Sequence, residues 1–325
     1  MSFLRRRDTP RVALPAALPL PGAAPGATLT LRPLLCGEIA MPPNWFERGR
    51  GCAETLKAFG LGVPASGLRR IPVPAYLLEH PTAGHVLVDT GLHGAIAGGR
   101  DHGHAGDRTG GRASNFGRGR NLGAVGAVMS RHTTMRPERT AAAQLRALGV
   151  DPAEIGLVVM THLHFDHASA LSDFPNATVL VEEREWRAAW ARDRLLHGYA
   201  TAQLDPRPQY RTLDFSSPPA AARGPFERTL DLFGDGSLML ASTPGHTAGH
   251  LSLIVRLAER EALLTVDAAY TMATIREGQR PWLTHNREAF EHSLRQVQAY
   301  DRENPGALII PGHDMQVWQK LQPAY

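Results

Sequence analysis

The stretch VVMTHLHFDHASA at residues 158–170 places three histidines and one aspartate within six positions, directly after a short apolar run. That run, GLVVM at 156–160, is continuously apolar, as expected for a buried strand. Imidazole and carboxylate groups are preferred ligands of zinc and related metals, so the stretch predicts a metal site at the end of a strand. The four candidate ligands are His162, His164, Asp166 and His167.

The spacing of these four residues indicates two half-sites. Alternate side chains of an extended segment point to the same side, so His162 and His164 can reach one ion. Asp166 and His167 are adjacent and point in different directions, which suits a second ion. All donors are nitrogen or oxygen, which favours zinc and leaves iron, manganese or cobalt as substitutes.

Three later strand ends supply candidates to complete the two sites. The segment STPGHTAGH carries His246 and IIPGHD carries His313, each inside a Gly/Pro turn. The segment LLTVDAAY places Asp267 at another strand end, where a carboxylate can bridge two ions. We assign the first ion to His162, His164, His246 and Asp267, and the second to Asp166, His167, His313 and Asp267.

The rest of the chain alternates between predicted strands and helices. Two helices are predicted at 136–150 and in the segment EREWRAAWARDRLL. A third, at 286–304, is amphipathic, with Phe290, Leu294 and Val297 on one face. This order favours a layered α/β architecture in one domain of residues 31–325. The predicted strands are 71–79, 84–91, 177–183 and 307–314, with three more in SLMLASTPGH, HLSLIVRL and ALLTVDAAY.

Composition restricts the function classes. The chain of 325 residues is 43% hydrophobic and 20% charged, with a net charge of +4. Its basic residues are scattered, apart from Arg5–Arg7 and a Gly/Arg-rich loop at 92–126. Nucleic-acid binding is therefore not expected. No apolar run is long enough for a membrane span, so no membrane partner is expected. The two cysteines, Cys36 and Cys52, form no ligand pair and are expected to be reduced thiols of a cytoplasmic protein.

Residues 1–30 begin with basic residues and an Ala-rich apolar stretch, which superficially resembles an export signal. Prolines interrupt that stretch, whereas the apolar region of a signal is continuous. We interpret residues 1–30 as a flexible Ala/Pro-rich arm, with an atypical export signal as the alternative. The interrupting residues are Pro15, Pro19, Pro21 and Pro25.

The motifs taken together resemble the metallo-β-lactamase superfamily. The resemblance covers residues 71–314 and implies a four-layered αββα sandwich with two metal ions at one edge of the sheets. It implies that Asp89 orients a metal ligand by hydrogen bonding. His250 has the same expected role, with a purely structural hydrogen bond as the alternative. The matching segments are VDTG (with Asp89), THLHFDH, TPGHTAGH, VDA and PGHD.

Within that superfamily, LLTVDAAYTMAT resembles the N-acyl-homoserine lactonases, together with YLLE…VLVDTG, Phe165 and GHDMQVW. In those enzymes a tyrosine three residues after the bridging aspartate hydrogen-bonds the lactone, and Tyr270 has that position. Simple packing of a strand-end tyrosine is the alternative. The resemblance implies that a bridging hydroxide attacks the lactone of a quorum-sensing signal. Tyr270 would stabilise the oxyanion, and Asp166 would deliver a proton to the leaving oxygen.

The substrate pocket and the oligomeric state stay open. Trp45 and Phe46 could equally cover a homodimer interface. Two other functions are possible: a dizinc hydrolase of phosphoesters or organophosphate triesters, and a nucleic-acid processing protein that uses the Arg-rich loop and arm. The expected partner is a small-molecule lactone. Candidate pocket residues, for each of which core packing is an equal explanation, are Met41, Trp45, Phe46, Phe116 and Phe165.

Overall fold

The structure, a computed structural model, describes residues 12–49, 51–58, 61–96 and 133–325 and folds them into two β-sheets flanked by helices. The strands are β1 (Leu14–Pro15), β2 (Thr30–Met41), β3 (Arg69–His80), β4 (Gly84–Val88), β5 (Thr133–Thr134), β6 (Leu157–Val159), β7 (Thr178–Glu182), β8 (Gln209–Leu213), β9 (Ala221–Arg223), β10 (Phe226–Asp231), β11 (Leu238–Ser242), β12 (Leu251–Arg256), β13 (Glu261–Val266) and β14 (Leu308–Pro311). The α-helices are α1 (Cys52–Ala58), α2 (Ala141–Ala147), α3 (Phe165–Ala168), α4 (Glu183–Ala189), α5 (Met272–Glu277), α6 (Arg287–Glu303) and α7 (Met315–Trp318).

The two sheets are both mixed. Sheet 1 has the order β1-β8-β7-β6-β4-β3-β2-β5, and its strands β4, β6, β7 and β8 run parallel. Sheet 2 has the order β14-β13-β12-β11-β10-β9, with β13 and β14 parallel and the other pairs antiparallel. Helical crossovers join the parallel neighbours, as the predicted alternation of strands and helices requires.

Strand periodicity produces four layers. Along β3 and β4, Tyr76 and Val88 point into the core between the sheets, while Leu77 and Leu87 point outward. The outward residues of sheet 1 pack against α2 and α4, and those of sheet 2 pack against α6. Because successive strand residues alternate sides, each sheet buries both of its faces. The predicted αββα sandwich is therefore confirmed.

The sequence did not indicate every element. β2 forms a long antiparallel pair with β3, but its register shifts between Leu35 and Glu38, next to Gly37. A bulge of this kind breaks the period-two pattern by which a strand is detected. The helix expected over 136–150 begins only after Thr140, whose side chain accepts a hydrogen bond from the Ala143 amide and caps α2.

Residues 12–29 differ from the flexible arm expected over 1–30. β1 pairs with β8, and the Ala16 and Leu20 amides donate to the carbonyls of Thr212 and Leu232, each at 2.8 Å. Leu18 and Leu20 pack against the core between the sheets. This segment lies at a sheet edge, where proline is tolerated. Residues 1–11 and most of the Gly/Arg-rich loop at 92–126 lie outside the described residues.

Within the described ranges, no helix combines the length and the apolar content that crossing a bilayer requires.

Deleting residues 1–22 should destabilise the protein, because it removes β1 and the contacts of Leu18 and Leu20. We expect the free energy of unfolding to fall by about 2 kcal/mol, since both leucines are partly buried. Urea denaturation measures the change. Deletion of residues 1–11 alone is the matched control, and equal stability of the two truncated proteins would contradict the packing of this segment.

Candidate metal centre

The candidate ligands converge because their loops follow strands that end at one edge of the two sheets. His162 lies three residues after β6, His246 four residues after β11, and His313 two residues after β14. Asp267 comes directly after β13, and Asp89 directly after β4. Binding and catalytic residues are often found in such loops, because the rigid strands fix the positions of the loops. Residues up to 224 positions apart, Asp89 and His313, are thereby brought together.

The backbone is strained at two of these strand ends. Asp89 has φ +55° and Val266 has φ +47°, a left-handed conformation that is rare for any residue except glycine. For a β-branched valine the cost is about 1–3 kcal/mol, which the surrounding structure must offset. Val266 directly precedes Asp267, and its carbonyl accepts a hydrogen bond from the Gly312 amide at 3.0 Å. The strained turn therefore fixes where the Asp267 carboxylate lies.

The first ligand group consists of His162, His164 and His246, and one ligand atom of each lies within 4.8 Å of the others. His164 Nε2 donates to the His197 carbonyl at 2.9 Å, which leaves Nδ1 facing the group. His164 Nδ1 and His246 Nε2 are only 3.0 Å apart. Such a separation suits two imidazoles that share one cation, because bonds of about 2.0–2.1 Å in tetrahedral geometry bring donor atoms close together.

The second ligand group consists of Asp166, His167 and His313, whose ligand atoms also lie within 4.8 Å of one another. His167 Nε2 and His313 Nε2 are each 3.7 Å from Asp166 Oδ2. His313 Nδ1 donates to the Pro72 carbonyl at 2.9 Å, which turns Nε2 toward the group. The hydrogen bond on the outer nitrogen selects the tautomer that can bind a cation.

Asp267 lies between the two groups. Its Oδ2 is 3.1 Å from His246 Nε2 and 3.8 Å from His162 Nε2. Its Oδ1 is 3.2 Å from His313 Nε2 and 3.5 Å from His167 Nε2. One oxygen therefore faces each group, which is the arrangement that a bridging carboxylate needs.

Asp89 orients one imidazole in each group. Its Oδ2 accepts hydrogen bonds from His167 Nδ1 and from the Thr161 hydroxyl, each at 2.8 Å. Because that hydroxyl donates to Asp89, its oxygen can accept from His162 Nδ1 at 3.1 Å. Both imidazoles then carry their proton on Nδ1 and present Nε2 to the centre. This geometry supports the orienting role expected of Asp89.

His250 holds the Asp267 backbone. Its Nε2 accepts from the Asp267 amide at 3.1 Å, and its Nδ1 pairs with the Thr243 hydroxyl at 2.9 Å. Burial lowers the pKa of His250 to about 3, so the ring is neutral and can accept at Nε2. This hydrogen bond is structural, and it also positions a candidate ligand. The two roles considered for His250, a structural hydrogen bond and the orientation of a ligand, are therefore compatible.

The electrostatics of the centre suit a cation. Burial lowers the pKa of His162, His164 and His246, which keeps these imidazoles neutral and able to bind metal. Burial would also lower the pKa of His167, but the surrounding carboxylates outweigh it and raise that pKa to about 10. Without a metal, protons balance the buried carboxylates, so metal binding would release protons.

Two imidazole nitrogens without hydrogen-bond partners indicate whether the residues fit metal ions. His162 Nε2 and His167 Nε2 are buried and have no hydrogen-bond partner among the described residues. Leaving a buried polar atom unpaired costs about 1–3 kcal/mol, and such atoms are rare in proteins. One of them belongs to each ligand group, and both face the Asp267 carboxylate. The donor set therefore fits two divalent cations.

Tyr270 and the pocket candidates lie beside the first group. The Tyr270 hydroxyl is 3.1 Å from His246 Nδ1, and the Trp45 side chain also hydrogen-bonds to Tyr270. Phe46 packs edge-on against the Tyr270 ring, with the ring centroids 5.9 Å apart. Its side chain is 1% exposed, so it is buried within its own chain and unavailable to a dimer interface. Met41 and Phe165 pack against the same apolar cluster. Phe116 lies outside the described residues.

Glu185, which no sequence motif indicates, is a fully buried carboxylate that accepts hydrogen bonds from the amides of Leu163 and Gly249 in two ligand loops. Its place in the helix gives a sequence signal for burial, because Glu185 lies on the same face of α4 as the buried Ala189, one turn later. A glutamate in a charged helical segment is usually exposed, so this signal is weak.

A family model of the Metallo-beta-lactamase superfamily matches residues 68–313. The N-acyl homoserine lactonase AttM of Azorhizobium caulinodans is 33% identical over 256 residues, which cover 78% of this chain and 86% of that protein.

Solved structures show the same fold. A crystal structure of a B. thuringiensis AiiA mutant with N-decanoyl-L-homoserine at its active site has a TM-score of 0.65 at 20% identity and covers 91% of this chain and 97% of its own. An N-acyl homoserine lactone hydrolase with N-hexanoyl-L-homoserine at its catalytic metal centre has a TM-score of 0.64 at 21% identity, with the same coverage of 91% and 97%.

Asp267→Asn should abolish the stabilisation that metal provides. A ligand at a thousandfold excess over its Kd stabilises by about 4 kcal/mol, so adding Zn²⁺ to chelator-treated wild-type protein should raise the melting temperature by more than about 5 °C. The asparagine variant lacks the charge between the two groups and should show little change. Differential scanning calorimetry measures both, and an equal rise in the variant would contradict the role of Asp267.

Proposed function

The chain belongs to the metallo-beta-lactamase superfamily, and from that premise we propose that it is a dizinc lactonase that opens the ring of N-acyl-homoserine lactones. Membership implies a hydrolase that binds divalent metal, and the buried histidine and aspartate groups agree with this. The relatives named N-acyl homoserine lactonases support the substrate class. The observation that carries the proposal is the Tyr270 hydroxyl, which lies beside the first ligand group.

The first ligand group would hold one ion and the second group the other, with Asp267 shared between them. Zinc suits these nitrogen and oxygen donors, and iron, manganese or cobalt could substitute for it. Two such ions would supply a hydroxide nucleophile at neutral pH and a Lewis acid for the lactone oxygens. The nucleophile then needs no serine or cysteine, and neither cysteine of the chain lies in a ligand motif.

The hydrogen bonds of Tyr270 leave its proton available to a substrate. When His246 presents Nε2 to the centre, its Nδ1 carries a proton and donates to the Tyr270 oxygen, 3.1 Å away. The Trp45 indole N–H can only donate, and it also bonds to Tyr270. With both lone pairs of the hydroxyl accepting in this way, its proton is available to a third group. A lactone carbonyl oxygen that gains negative charge is a suitable acceptor.

Burial raises the pKa of Tyr270 well above its usual value. The hydroxyl therefore stays protonated at neutral pH and can act as a donor.

Asp166 is suited to the leaving-group side. Its Oδ2 lies 3.7 Å from the Nε2 atoms of both histidines of the second group. Ring opening produces an alkoxide, which is a poor leaving group unless it is protonated. We assign that proton transfer to Asp166, whose carboxylate would take the proton from the hydroxyl group added to the carbonyl carbon and pass it to the leaving oxygen, so that the products are a carboxylate and an alcohol.

The apolar cluster around Tyr270 supplies a surface for the acyl chain. Trp45, Met41 and Phe165 are partly buried and pack against a core that includes Phe46 and Tyr270. Trp45 also stacks on Trp282, with ring centroids 6.4 Å apart. The three partly buried side chains would contact the acyl chain, while the buried Phe46 packs within the core behind them.

A substrate panel tests the proposed reaction. We expect N-acyl-homoserine lactones to be hydrolysed with a kcat/KM at least about a hundredfold above that of phosphotriesters, because Tyr270 is aimed at one carbonyl oxygen. A pH-stat assay follows ring opening directly, and thioesters provide a third class. Lactone turnover no faster than the uncatalysed rate would contradict the proposal, and faster phosphotriester turnover would favour the alternative hydrolase.

Tyr270→Phe should lower kcat/KM for lactones by about ten- to a thousandfold, as expected when one oxyanion donor is lost. Metal content, measured by elemental analysis, should stay unchanged because the hydroxyl is not a ligand. Tyr300→Phe is the matched control, since it removes a hydroxyl that bonds to Glu261 at 2.7 Å on the outer helix α6. If both variants kept the wild-type rate, the role of Tyr270 would be refuted.

A further inference from the structure

Glu185 gathers hydrogen bonds from three separate segments of the chain. Its Oε1 accepts from the Leu163 amide at 2.9 Å. Its Oε2 accepts from the Gly249 amide at 2.9 Å and from the Tyr199 hydroxyl at 3.1 Å. Burying a carboxylate is costly, and these three donors offset part of that cost.

Each of these segments carries or holds a member of the first ligand group. Leu163 lies between His162 and His164, and Gly249 follows His246 by three residues. Tyr199 forms an isolated β-bridge with His164. Two residues before Tyr199, the His197 carbonyl accepts the outer hydrogen bond of the His164 ring at 2.9 Å. All three histidines of the group are therefore within a few residues of a Glu185 contact.

The Gly249 contact requires close approach of two backbones. A Cβ atom added at Gly249 would lie 2.5 Å from the Glu185 amide and 2.1 Å from Glu182 Oε2. Any other residue would push the loop of His246 away from α4. Glycine at this position thus lets the loop amide reach the Glu185 carboxylate.

The second ligand group is held by different contacts. The His313 amide donates to the Tyr270 carbonyl, and its Nδ1 donates to Pro72, each at 2.9 Å. The His167 carbonyl accepts from the amide and the hydroxyl of Thr90, each at 2.8 Å. Glu185 contributes to none of these hydrogen bonds.

We propose that Glu185 is a positioning residue that sets the affinity of the first metal ion and leaves that of the second unchanged. The carboxylate clamps the two loops of the first ligand group against α4, so that three imidazoles are held at binding distance before metal arrives. The inference rests on the metal centre of the proposed function and is independent of the substrate.

Glu185→Gln tests the inference, because glutamine keeps one acceptor oxygen and its NH2 group cannot accept, so the hydrogen bond from either Gly249 or Leu163 is lost. Zinc affinity is measured by competition with a chromophoric chelator in two backgrounds. In His313→Ala the first group is the intact one, and Glu185→Gln should weaken zinc binding by about 10- to 100-fold. In His164→Ala the second group is the intact one, and the same substitution should change the affinity by less than about twofold.

Glu183→Gln is the matched control. It makes the same chemical change on the same helix, at a partly exposed carboxylate that pairs with Arg187. We expect no change of zinc affinity in either background. Circular dichroism checks that all variants fold. If Glu185→Gln does not fold, Tyr199→Phe removes one contact of the clamp and should weaken the first site alone by about fivefold.

Equal weakening in both backgrounds, or no weakening in His313→Ala, would overturn the inference. A lactone assay on the wild-type protein is a separate arm of the experiment. Wild-type protein that binds two zinc ions but opens no lactone contradicts the proposed substrate, while the affinity ratios still decide the role of Glu185.

Discussion

A single buried carboxylate, that of Asp267, is the constraint on which the rest of the centre depends. It is 3% exposed and lies within 3.8 Å of four imidazoles, two from each ligand group. An anion in such a site is strongly disfavoured unless cations accompany it. Burial raises the pKa of Asp267, but the imidazoles of His313, His246 and His167 outweigh it and hold that pKa well below its usual value. Protons supply the positive charge in the absence of metal, and divalent ions would replace them.

Several features of the fold serve to hold that carboxylate in place. The left-handed backbone of Val266 turns the chain at the end of β13, and the neutral ring of His250 accepts the Asp267 amide. Parallel β14 brings Gly312 close enough that a Cβ there would lie 2.6 Å from Asp267 Oδ1. The strain is local and costs about 1–3 kcal/mol, which is affordable because both sheets are packed on both faces around it. The rigid strand ends thus fix the positions of the loops that carry the ligands.

The sequence indicated the candidate ligands more directly than the elements that surround them. His162, His164 and the other candidate ligands stand in short motifs whose chemistry is visible residue by residue. β2 was missed because its bulge at Gly37 interrupts the alternation of apolar residues. The packing of residues 12–29 was missed because prolines suggested a free arm, and edge pairing to β8 depends on contacts that are distant in sequence.

Glu185 and Phe46 show the same limit at the site. A helical glutamate and a loop phenylalanine have no local pattern that reveals a buried clamp or a support beneath Tyr270. In the proposed function, two ions held by the two ligand groups make the lactone chemistry possible. The most direct measurement is the rate of N-acyl-homoserine lactone opening by chelator-treated protein as zinc is added back. We expect no rate above background without metal and a maximal rate at two ions per chain; full activity in metal-free protein would contradict the claim.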